Sequence, residues 1–86
     1  MEIKYSKDSL KYLAKMDKAT VDSIKAAIQG LTVQPAQGDI KPMQGYNDGR
    51  MRLRVGKYRV VYRYEVDGTV KILYIIDIGP RGDIYK

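Results

Sequence analysis

The spacing of hydrophobic positions changes character near the middle of the chain. Glu2 to Tyr5 (EIKY) alternates and predicts a short strand. Ser6 can cap a helix beginning at Lys7, with Leu10, Leu13 and Ala14 as its apolar stripe, and Asp17 can cap a second helix carrying Val21, Ile24, Ala27 or Ile28, and Leu31 on one face. Gly30 and Pro35 close this pair, which reads as a helical hairpin with a lysine-rich outer face. From Gln34 to Gly49 glycine, proline and polar residues dominate, as expected of one ordered loop. Beyond Gly49 the period becomes two. Arg50, Arg52 and Arg54 alternate with Met51, Leu53 and Val55; Gly56-Lys57 suits a two-residue hairpin turn; Tyr58 to Val66 returns. After a turn at Asp67-Gly68, Thr69 to Gly79 is apolar on both faces for most of its length, the signature of a central strand.

A two-residue loop fixes register, so facing residues can be named. Val55 faces Tyr58, Leu53 faces Val60 and Met51 faces Tyr62, a core layer for the helices to cover. By the same alternation Tyr58, Tyr62 and Tyr64 are core tyrosines. On the opposite side Arg54 faces Arg59, Arg52 faces Val61 and Arg50 faces Arg63. Like charges directly opposite cost a few tenths to ~1 kcal/mol per pair. No acid in these strands before Glu65 relieves them, so the row calls for an external anion; the alternative is a solvated basic face.

Charge sharpens this picture. The 86 residues carry 16 Lys and Arg against 10 Asp and Glu, a net charge of +6. Up to Ile40 six lysines nearly balance five acids, and every arginine lies beyond. Guanidiniums fork onto phosphates and stack on bases, so this segregation points to nucleic acid. Cys and His are both absent, which removes disulfides, histidine-based acid–base pairs and the usual zinc ligands. No apolar run resembles a membrane span or signal peptide, so a cytoplasmic protein is expected, with no membrane partner, no metal and no cofactor. The length fits one domain, residues 1–86.

Such residues can still cleave RNA, which carries its own nucleophile. The 2′-hydroxyl attacks the adjacent phosphate once it is held in line and the developing charge is stabilised, work that suits arginine. A tyrosine serves as base only if neighbouring guanidiniums lower its pKa from ~10.

The stretch RMRLRVGKYRVVYRY (Arg50 to Tyr64) followed by IIDIGPRGDIY (Ile75 to Tyr85) resembles the RelE/ParE toxin superfamily, in particular its RelE branch. The resemblance implies an α+β fold in which an N-terminal strand and a two-helix hairpin pack on one face of a mostly antiparallel four-stranded sheet. It implies the toxin of a toxin–antitoxin pair, a ribosome-dependent endoribonuclease that cuts messenger RNA in the A site without metal and leaves a cyclic phosphate. Its partners would be a cognate antitoxin and the ribosome with its message. Carried over, Arg59 and Arg81 stabilise the reacting phosphate, Tyr85 is base or orients the 2′-hydroxyl, and Arg52 belongs to the basic strand that in some members supplies the acid. Arg50, Arg52 and Arg54 match the family's basic strand, which grips RNA; from their own positions Lys57 and Arg63 are further RNA-binding candidates, and Tyr46, in the loop before the arginine strand, is a candidate for stacking on a base. The pattern departs from the family where Arg50 and Arg52 replace lysines and Pro80 a histidine, which touches proton transfer more than RNA binding. Two alternatives stand beside this reading: a ParE-like inhibitor of DNA gyrase that cuts nothing, and a nuclease-dead module that binds RNA or antitoxin.

Overall fold

The computed structural model describes residues 1–80. In chain order these form β1 (Glu2–Tyr5), α1 (Lys7–Ala14), α2 (Lys18–Gln29), a single 3-10 turn (Gly30–Thr32), β2 (Asp39–Pro42), β3 (Met51–Val55), β4 (Tyr58–Asp67) and β5 (Val70–Pro80). The strands make one sheet in the order β1-β5-β4-β3-β2, with β1 parallel to β5 and every other pair antiparallel. Both helices lie on one face of it, α1 against β5 and α2 over β3. No helix among the described residues is long and apolar enough to cross a membrane.

The core is where the period-two strands meet the helical stripes. Leu13, Ile24, Ile28 and Leu31 from the helical half pack on Leu53, Val60, Tyr62, Leu73, Ile75 and Ile78 from the sheet. The hairpin register is the expected one: Val55 pairs with Tyr58, Leu53 with Val60 and Met51 with Tyr62. Its turn relies on Gly56, whose φ of +59° is the left-handed region that glycine enters without strain.

Ser6 joins the two halves. Its hydroxyl accepts the Ser9 backbone N–H at 3.1 Å, the N-cap bond of α1, and donates to the Ile76 carbonyl 2.7 Å away. That carbonyl belongs to a β-bulge: Val61 pairs with Asp77 but Tyr62 with Ile75, leaving Ile76 as the extra residue in β5. The bulge shifts the phase of the strand by one residue. Asp77 therefore lies on the arginine side and Ile78 in the core.

Three expectations are revised. The stretch from Gln34 to Gly49 contains β2, so the sheet has five strands. Its four residues (DIKP) are too short and too close to Gly and Pro to show a pattern, and they are held by pairing with β3 and by Ile40 against the core. Gly38 precedes it at φ +129°, and a Cβ there would sit 2.6 Å from the Leu53 side chain, so only glycine lets the chain pass this close. In α1, Leu10 points outward, 54% exposed, and Ser9 takes the inner position, its hydroxyl 2.8 Å from that of Ser6 and 3.4 Å from the Ile75 carbonyl. Tyr64 is 44% exposed rather than core; its hydroxyl donates to the Leu31 carbonyl at 2.7 Å and pins the sheet margin to the end of the helical half.

Candidate functional site

β3 and β4 present their non-core residues to the sheet face opposite the helices. Arg54 pairs with Arg59 and Arg52 with Val61, as the hairpin loop requires. β4 continues to Arg63, paired with Tyr74 of β5, and the Arg63 guanidinium sits 5.3 Å above that ring. Arg50 lies just before β3. Lys57 is exposed on the turn, its ammonium 5.9 Å from the Tyr58 ring.

The two ends of this arginine row have different electrostatics. At the Arg50 end, Asp48 supplies the acid missing from the strands. Its carboxylate receives Arg50 Nη2 at 2.8 Å, Arg50 Nε at 3.1 and 3.2 Å, and Arg63 Nη1 at 3.0 Å. Glu65 takes Arg63 Nε at 2.7 Å. These bonds to Arg50 first, and to Arg63, hold the Asp48 carboxyl well below the usual carboxylate range. The Arg50 guanidinium, fixed in this way, lies 4.1 Å from the centre of the Tyr46 ring.

The other end is less neutralised. Arg52 and Arg54 share Asp39 of β2, at 4.0 Å and 3.7 Å, beyond hydrogen-bond range. Arg52 is 4% exposed and Arg59 2%, so this part of the row is not the open solvated face considered above. Among the described residues no hydrogen-bond partner reaches Arg52 Nη1. Asp77 lies opposite Val61 on this face, but its Oδ1 accepts the backbone N–H of Ile78 at 3.0 Å.

The structure thus brings Arg52, Arg54 and Arg59 together beside the β3–β4 turn, with Lys57 on that turn. It separates Arg50, Arg63 and Tyr46 as a second, neutralised group. Arg81 and Tyr85 lie outside the described residues. Asp39 and Asp48 escaped the sequence reading because both come from the segment taken as loop. The one available signal was the Asp48-Gly49 dipeptide directly before the arginine strand, a turn that carries an acid to the strand's first guanidinium.

The profile of a family described as "ParE toxin of type II toxin-antitoxin system, parDE" matches residues 3–85. The chain belongs to the RelE/ParE toxin superfamily. It is the toxin of a type II toxin–antitoxin system. Among solved structures, the archaeal RelE–RelB complex from Pyrococcus horikoshii is 28% identical, with 95% of this chain and 96% of that chain covered and a TM-score of 0.72. The RelB–RelE complex from Methanococcus jannaschii is also 28% identical, covering 95% of this chain and 94% of that one at a TM-score of 0.65. A YoeB/ParE toxin from Agrobacterium tumefaciens shares the fold, with 22% identity, 94% and 99% coverage and a TM-score of 0.75. No curated protein sequence matches the toxin significantly.

Proposed function

We propose that this toxin is a ribosome-dependent endoribonuclease that cuts messenger RNA in the ribosomal A site and so stops translation. The observation that carries the reading is Arg52. Its guanidinium is 4% exposed and, among the described residues, 4.0 Å from the nearest carboxylate, so its charge is weakly offset and adds to the positive potential that the exposed Arg54 and Lys57 present to an anion from outside. Arg54 beside it and Arg59 across the hairpin make the same region suited to a phosphodiester.

The reaction uses the RNA's own 2′-oxygen. As its proton is removed, that oxygen bonds to phosphorus, the bond from phosphorus to the 5′-oxygen breaks, and the 5′-oxygen takes up a proton. The products are a 2′,3′-cyclic phosphate and a 5′-hydroxyl. Arg59 and Arg54 face the charge that grows on the non-bridging oxygens, where fixed donors lower the barrier most. Arg52 keeps its proton throughout, because guanidinium does not deprotonate in proteins; its role is to hold phosphate, not to act as acid. Arg81 and Tyr85 fill the remaining roles in this scheme, charge stabilisation and activation of the 2′-hydroxyl. The solved relatives from Pyrococcus and Methanococcus are complexes with RelB, and we extend to this toxin a cognate antitoxin, an acidic segment suited to the arginine row.

Primer extension on a reporter message after brief induction, with and without active translation, tests the reading. Cuts within codons that require translating ribosomes are the expected result. Absence of cuts together with arrested growth and DNA-damage induction would replace it with gyrase inhibition, the reading that the match to the ParE family profile favours.

A further inference from the structure

The row of cations ends in an aromatic group that carries almost no free charge. Met43 N–H donates to the Arg50 carbonyl at 3.2 Å and closes the loop between β2 and β3. Within it, Gly45 at φ +86° and Gly49 at φ +76° provide the two sharp bends. Asp48 then binds Arg50 through both its backbone N–H, at 3.3 Å, and its guanidinium. The guanidinium plane is fixed against one face of Tyr46, and the tyrosine remains 49% exposed.

We propose that Tyr46, backed by the clamped Arg50 guanidinium, is a stacking site for an unpaired nucleobase, and that Asp48 is the positioning residue that builds it. This rests on the nucleic-acid reading above. A phosphate gains little here, because Asp48 and Glu65 already neutralise Arg50 and Arg63. A nucleobase is neutral and planar, and stacks on an aromatic ring without displacing either acid. The placement also suits a single strand. Each two-residue step from Arg50 to Arg52 to Arg54 advances ~7 Å along the sheet, so a strand whose phosphates follow Arg52 and Arg54 brings a base to Tyr46 at the end of the row.

The test uses a short single-stranded 2′-O-methyl oligonucleotide, which lacks the attacking hydroxyl, with 2-aminopurine at one position to report stacking by its quenched fluorescence. Inorganic polyphosphate is the base-free comparison. Tyr46→Leu should weaken oligonucleotide binding about ten-fold and abolish quenching, while polyphosphate binding stays within about two-fold. Asp48→Asn should also diminish quenching, yet steepen the salt dependence of oligonucleotide binding by about one unit as Arg50 and Arg63 become free to meet phosphates. A purely structural Asp48 would weaken both ligands together and leave the slope unchanged. If the parent toxin binds both ligands and Tyr46→Leu alters neither, the stacking site is refuted and the nucleic-acid reading stands. If the parent binds neither, the stacking site falls, and primer extension on translated message decides the nuclease reading separately.

Discussion

The arginine row has two ends made of the same residue type and paired differently with acids. Around Arg50 and Arg63, two carboxylates sit within 3.0 Å of the guanidiniums, and the charges cancel inside the protein. Around Arg52 and Arg54 the shared carboxylate of Asp39 stands at 3.7 Å or more, and Arg52 is buried as well. Burying a cation beside a distant counter-ion is unfavourable in the free protein. Among the described residues, the positive charge at this end is only weakly offset. Counting arginines on a face therefore says little until each one's internal partner is known.

The largest test of this contrast is Arg59→Ala, expected to lower ribosome-dependent cleavage about 100-fold or more, as loss of a preorganised donor at a developing oxyanion does; Arg63→Ala should cost under about ten-fold in the same assay. Cleavage that fell equally in both variants would erase the distinction between the ends. Next is Arg52→Met. Removing a buried, weakly paired cation should raise stability by about 1 kcal/mol, or roughly 4–8 °C in Tm for a domain this size, while lowering activity about ten-fold. A drop in Tm would mean that Arg52 supports the fold. Asp39→Asn sharpens the contrast in the other direction. Without the shared carboxylate, binding of an anionic oligonucleotide should strengthen about two- to five-fold at low salt, and the gain should vanish near 1 M salt. The smallest effect belongs to Asp48→Asn in denaturant titrations against pH. Because folding lowers the Asp48 pKa, its contribution is complete above the ordinary carboxylate range and disappears as pH falls through the lowered value. Parent and variant should differ most at neutral pH and converge in strong acid.

The hairpin was readable from the sequence because a two-residue loop determines which residues meet, and Arg54 opposite Arg59 followed directly. Ser6, Ile24 and Ile28 were equally accessible, since capping and helical spacing are local properties. What escaped depended on contacts distant in sequence. β2 takes its strand character from β3. Leu10 turns outward because Ser9 is drawn toward the Ile75 carbonyl. Asp48 reaches Arg63 across fifteen positions. The candidate site divides in the same way: the arginines were visible as a pattern, whereas their neutralisation was set by acids on a segment with no period.

The extra residue in β5 works like a frame shift in a message. Ile76 has no counterpart in β4, and from Asp77 onward the strand is out of step with its beginning. Substituting Ile76 changes one side chain. A regular ladder that paired Ile76 with Val61 would instead send Asp77 into the core opposite Val60 and bring Ile78 out opposite Arg59, displacing Gly79 from that place. The bulge at Ile76, more than the composition of β5, thus keeps each later residue on its proper side.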